Sequence, residues 1–98
     1  MIDEVPVISV SELKQLQQKE SIFLLDVREQ YEYDNFNIGG YLIPLGQLLD
    51  RLNEIDTSRP VVVHCKSGMR SAQAVRLLQQ QGILAKNLQG GIEAWRDE

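Results

Sequence analysis

The stretch Val61-Val62-Val63-His64-Cys65-Lys66-Ser67-Gly68-Met69-Arg70-Ser71 constrains this chain more than any other. Its first part is a β-branched run behind Pro60, the pattern of a buried strand. Its last part continues without interruption into Ala72-Gln73-Ala74-Val75-Arg76-Leu77-Leu78, a helical pattern. Between them lies a six-residue segment, Cys65 to Arg70, with Gly68 inside it. A strand–loop–helix turn of this kind aims several backbone N–H groups inward, and the helix N-terminus adds partial positive charge. The only cysteine stands at the mouth of that loop. Each amide favours S⁻ over SH, so a thiol that ordinarily titrates near ~8.5 is expected to fall toward roughly 3.5–7.5. The thiolate is the nucleophilic form.

Charge follows the same pattern. The chain carries 14 acidic and 10 basic residues, net −4, yet no acid occurs between Asp56 and Glu93. That span holds Arg59, Lys66, Arg70, Arg76 and Lys86, half of all the bases. An acidic protein thus keeps a locally positive region around its cysteine. Arg70 falls in the first turn of the expected helix, where a cation opposes the macrodipole. It makes sense there if an anion sits between it and the loop amides.

Cys65-Lys66-Ser67-Gly68-Met69-Arg70-Ser71 resembles the active-site loop of the rhodanese (sulfurtransferase) family, as do Asp26-Val27-Arg28-Glu29 and Gly90-Gly91-Ile92-Glu93-Ala94-Trp95. The three segments occur in the family's order, and the resemblance covers nearly the whole chain. It implies a three-layer α/β fold: a parallel central sheet of about five strands with helices on both faces, in one domain over residues 1–98. It also implies that Cys65 takes sulfane sulfur from a donor as a persulfide and passes it to a thiophilic acceptor. Lys66, Ser67, Gly68, Met69, Arg70 and Ser71 are then the substrate-binding residues. Arg70 and Lys66 would recruit an anionic donor such as thiosulfate, the loop amides would hold the terminal sulfur, and Met69 would shield the rim. No metal or cofactor is implied. A protein persulfide donor or a sulfur-carrier acceptor fits the same chemistry, and rhodanese domains appended to adenylyltransferases share the resemblance. Asn37 stands where the family commonly has histidine, and Gly39-Gly40-Tyr41 departs from it nearby, which alters substrate access on that side.

Two other classes compete. Cysteine-dependent phosphatases and arsenate reductases resemble this architecture, but typically place five residues between cysteine and arginine. Here there are four, Lys66 to Met69, a tighter ring that suits one persulfide sulfur and crowds out phosphate. A non-catalytic interaction domain is the other class, and retention of Cys65 beside Gly68 and Arg70 argues against it.

The rest of the chain reads as alternating strands and helices, which implies a parallel sheet covered on both faces. Val7-Ile8 is an expected strand, and Ser9 with Glu12 has the spacing of a capping box opening a helix. Ile22 to Leu25 is a continuous apolar run, expected to be a strand buried on both faces. Asp26 closes it on the rim where Cys65 closes another strand, the side where open parallel sheets bind ligands. Asp26 and Arg28 either pair to brace the cysteine loop, or Asp26 satisfies nearby loop amides. Residues 29–34 suggest a short acidic helix with Tyr31 and Phe36 packing inward. Leu42-Ile43 is a short strand, and Leu45, Leu48, Leu49, Leu52 and Ile55 fall at helical spacing. His64 points to the opposite face from Cys65. It is expected to be a core histidine with its hydrogen bonds met, the other role being a base for the thiol. Gly82 fits a helix terminus, a last strand is expected near Lys86-Asn87-Leu88, and Ile92 and Trp95 anchor a final helix.

No apolar run approaches the ~20 residues that span a bilayer. One cysteine leaves no internal disulfide, and no signal-peptide pattern precedes the first expected element, so a reducing cytoplasm is the expected setting. The acidic balance argues against nucleic acid as a partner.

Overall fold

The computed structural model describes residues 4–97. Five strands form one parallel sheet in the order β1-β5-β4-β2-β3. They are β1 (Val7–Ile8), β2 (Phe23–Asp26), β3 (Tyr41–Leu42), β4 (Val61–His64) and β5 (Lys86–Leu88). Four helices join them: α1 (Val10–Lys19), α2 (Gln30–Asn35), α3 (Met69–Gln80) and α4 (Gly91–Asp97). Ser9 opens α1 with the capping box its spacing suggested: Glu12 N donates to Ser9 Oγ at 3.0 Å, and Ser9 N donates to Glu12 Oε1 at 2.9 Å.

Alternation along the strands divides the core between two faces. Phe23, Leu25, Val61, Val63 and Cys65 face α3 and the segment before β4, packing on Leu48, Ile55, Ala74, Val75 and Leu78. Val62 and Leu24 face the other way, against Val10, Leu13, Ala94 and Trp95 of α1 and α4. Trp95 is packing, as expected, with the Lys14 ammonium 4.9 Å above its ring. No helix among the described residues is long and apolar enough to cross a membrane.

The chain leaves β4 toward β5 and leaves β2 toward β3, so their carboxyl ends flank a switch point in the sheet order, where α/β sheets leave a crevice. The register sets Asp26 directly beside His64, one residue before Cys65.

Two expectations are corrected. Tyr31 is 72% exposed, and Phe36 lies at the surface beneath the Arg96 guanidinium, 4.4 Å away. Helix α2 sits on the rim and buries none of its own residues, so an inward aromatic there has no core to enter. The leucine-rich stretch is not an α-helix but a 3₁₀ segment, Leu45–Glu54, broken at Arg51 (φ −127°, ψ 24°). With three residues per turn, Leu45 and Leu48 stack. The break then shifts the phase by one residue, so that Leu52 and Ile55 continue the same face. Leu49 is left outside, 51% exposed.

This register is testable by urea denaturation. Leu48→Ala, at a fully buried site, is expected to cost about 2–5 kcal/mol. Leu49→Ala should stay within about 0.5 kcal/mol of the parent, whereas a continuous α-helix with both leucines in the core would make the two losses comparable.

Candidate active site

Cys65 follows β4 directly, and the chain turns at Gly68 into α3. Gly68 adopts φ +114°, a left-handed conformation that costs other residues strain. The turn folds the loop back over the sulfur. Gly68 N donates to Cys65 Sγ at 3.1 Å and Ser71 N at 3.4 Å, while Ser71 Oγ lies 3.3 Å away. The sulfur is not at an open mouth. Cys65 is 1% exposed and shares the core cluster of α3 and β4. Burial alone pushes the thiol up, but hydrogen bonds from Ser71, Gly68 and Ser67 outweigh it and hold the pKa below the ordinary value.

Neighbouring segments hold several of the loop's carbonyls on its outer side. In a trans peptide, C=O and the following N–H point in opposite directions. Ile92 N donates to Cys65 O at 3.0 Å and Glu93 N to Lys66 O at 3.1 Å. Asn87 Nδ2 donates to Gly68 O at 3.1 Å. With these three carbonyls held from outside, the N–H groups of Lys66, Ser67 and Met69 are turned the opposite way. A Cβ on Gly91 would lie 2.6 Å from both Cys65 O and Lys66 O, so only glycine lets α4 approach this closely. Asn87 also accepts the Ser71 hydroxyl at 2.5 Å on Oδ1. Its amide orientation is fixed, because the flipped form would set two acceptors against each other at Gly68 O.

Arg70 has its anion, and the anion is part of the chain. Glu32 of α2 takes both guanidinium ends, Nη1 to Oε1 at 2.7 Å and Nη2 to Oε2 at 3.0 Å. The hydrogen bonds from Arg70 hold the Glu32 carboxyl down at about 2. Asp26 and Arg28 do pair, Nε to Oδ1 at 3.0 Å and Nη2 to Oδ2 at 2.8 Å, and Asp26 Oδ1 also accepts the Arg28 backbone N–H. The pairing and the amide contact expected of Asp26 thus both hold. The pair does not touch the cysteine loop, however. Arg28 reaches Glu32 O and Phe36 O, bracing α2. Its effect passes to the loop only through Glu32 and Arg70.

A model of the rhodanese-like domain matches residues 9–98. The chain belongs to the rhodanese-like domain family. It is 33% identical to the putative sulfurtransferase YtwF of Bacillus subtilis, over 97% of this chain and 94% of that protein. It is 42% identical to uncharacterized protein YqhL of the same organism over 74% of this chain, and spans 59% of that relative's length. A crystal structure of a rhodanese-like domain protein from Staphylococcus aureus superposes with TM-score 0.86 at 33% identity, covering 93% of this chain and 91% of that one.

In this rhodanese-like chain the six loop residues expected at the site divide into three groups. Gly68 and Ser71 touch the sulfur; Lys66, Ser67 and Met69 lie exposed on the rim, Met69 at 79%; Arg70 is paired with Glu32. His64 faces away from Cys65 and is buried, but the expectation that its hydrogen bonds are met is wrong. Among the described residues neither ring nitrogen has a partner, and the nearest acid, Asp26 Oδ2, is 3.7 Å from Nε2. Burial pushes its pKa down, so the ring is neutral and turned from the thiol. Sequence reasoning missed Glu32 and Asn87. A side-chain amide in the middle of the short strand Lys86–Leu88 was the available signal for Asn87. Glu32 carries none, since its spacing from Glu29 marks only a capping box.

Gly91→Ala is expected to push α4 off the two carbonyls and raise the Cys65 titration midpoint, followed by thiolate absorbance, toward the ordinary ~8.5; an unchanged midpoint would separate α4 from the sulfur's environment. The Glu32 carboxyl is lowered in the fold from 4.5 to about 2. Its stabilisation is therefore complete above pH 4.5 and lost as pH falls toward 2. Glu32→Gln should flatten that acid limb in urea titrations run at successive pH values.

Proposed function

We propose that this protein is a sulfurtransferase carrying sulfane sulfur as a persulfide on Cys65. The observation that supports it best is the pair of amides, Gly68 N and Ser71 N, donating to one sulfur at the carboxyl edge of a parallel sheet. Relatives named as sulfurtransferases support the reaction class. Cys65 thiolate attacks the outer sulfur of a donor such as thiosulfate. A new S–S bond forms, the donor's S–S bond breaks, and sulfite leaves with the bonding pair. The loop amides from Lys66 to Ser71 then stabilise the charge on the terminal sulfur, as an oxyanion hole does for oxygen. An acceptor nucleophile (cyanide, a thiol or a sulfur-carrier protein) takes that sulfur and returns Cys65 to the thiolate.

Burial of Cys65 shelters its Sγ from bulk water, so that the outer sulfur is the atom left for an acceptor. Two amides already meet the one sulfur atom, and only four residues separate Cys65 from Arg70, which favours sulfur over phosphoryl chemistry.

Mass spectrometry after incubation with thiosulfate should find an adduct of about 32 Da, one sulfur atom, on Cys65. Cys65→Ala should abolish both the adduct and transfer to cyanide. Hydrolysis of an aryl phosphate without any sulfur adduct would replace this proposal with a phosphatase.

A further inference from the structure

The acid-free run from Thr57 to Ile92 gives the sequence a cationic site, but folding changes that balance. Helix α2 brings Glu32 against Arg70 from 38 residues away, bidentate and only partly exposed. A second guanidinium on this rim, Arg28, is saturated by Asp26 and two backbone carbonyls. Lys66 and Arg96 remain, Arg96 stacked over Phe36, in a cleft of about 410 Å³ that they share with Glu93 and Glu32. In that cleft a small dianion would meet these two cations opposed by two carboxylates, with the guanidinium nearest the cysteine loop already taken. The rim also presents apolar surface that an inorganic anion cannot use. Met69 adjoins Arg70, and Tyr31 stands on α2 beside Glu32, both largely exposed.

We infer that Glu32 is a specificity-determining residue: by engaging both ends of Arg70 it withholds the loop's own guanidinium from a dianion, and it turns the site toward organic persulfides over thiosulfate. This rests on the sulfur-transfer reading and narrows its donor class. The two donors differ in what they leave behind. With thiosulfate, Cys65–S⁻ and S–SO₃²⁻ give Cys65–S–S⁻ and SO₃²⁻, so two negative charges must enter and leave past Glu32. With an organic persulfide, Cys65–S⁻ and R–S–SH give Cys65–S–SH and R–S⁻, and only one charge departs, on a group whose carbon chain can lie against Met69 and Tyr31.

Glu32→Gln is the variant to use. It removes the charge while a glutamine oxygen can still accept the Glu29 N–H that Glu32 Oε1 receives at 3.0 Å, so the cap of α2 survives. Thiosulfate binding is measured by calorimetry on Cys65→Ser and on Cys65→Ser/Glu32→Gln, where no transfer occurs. The double variant should bind roughly tenfold tighter at low salt, the scale of one screened charge near a surface. With Cys65 present, Glu32→Gln should raise the ratio of kcat/KM for thiosulfate to that for 2-hydroxyethyl persulfide by a similar factor. Were Glu32 merely holding Arg70 in place for the anion, both measurements would move in the opposite direction, and that result, or no change, overturns the inference. Tighter binding without transfer from either donor would uphold the role of Glu32 in anion exclusion and overturn the sulfur-transfer reading, so the two fail separately.

Discussion

The arrangement depends on peptide groups that cannot face two ways. The loop after β4 presents the N–H groups of Gly68 and Ser71 to one sulfur, while neighbours hold the carbonyls of Cys65, Lys66 and Gly68 on the outer side. Two of those neighbours are backbone amides at the start of α4 and one is the side chain of Asn87 on β5. Among the described residues the one histidine, His64, is turned away from the thiol. The sulfur's acidity is set by dipoles whose direction is fixed elsewhere, so they need no reorganisation when charge develops. Cys65 can consequently be buried and still titrate below an ordinary thiol, a combination that burial alone forbids.

A second layer ties this loop to the rim of the sheet. Asp26 at the end of β2 holds Arg28, Arg28 holds the carbonyls of Glu32 in α2 and of Phe36 just past it, and Glu32 on α2 holds Arg70 at the start of α3. Each link is charged and hydrogen-bonded, and three of the four side chains lie well inside the surface. The chain of contacts crosses the switch point between β2 and β4, where the two halves of the sheet part. It joins the two motifs Asp26-Val27-Arg28-Glu29 and Cys65 to Ser71 by way of a short helix that has no core of its own. His64 shares this crevice without joining the network, its ring packed where Gly40 leaves little room.

Much of this was legible in the sequence, and the reasons differ by element. Buried parallel strands are short unbroken apolar runs, so β2 and β4 stand out within a residue of their ends. Ser9 and Glu12 show a cap because its partners are three residues apart. The cysteine loop shows itself by composition and by what flanks it. Contacts between distant segments leave no such trace. Nothing local says that Glu32 meets Arg70, so an arginine that looked free for substrate is already paired. Periodicity also misleads where the period itself changes: five aliphatic residues at helical spacing fit an α-helix, yet two 3₁₀ turns with a break at Arg51 bury most of the same face. The resemblance of Gly90-Gly91 to a family motif marked the position without giving its reason, which is the clearance needed by two carbonyls 25 residues earlier.

That clearance bears on how the protein comes into being. The surroundings of Cys65 are drawn from β4, from Asn87 and from residues 91–93, and the last of these leave the ribosome well after Cys65 has emerged. Until they dock, the thiol belongs to an unfinished loop with its peptides free to turn, and it has the modest acidity of any cysteine in an open chain. The lowered thiol pKa thus arrives together with the completed fold.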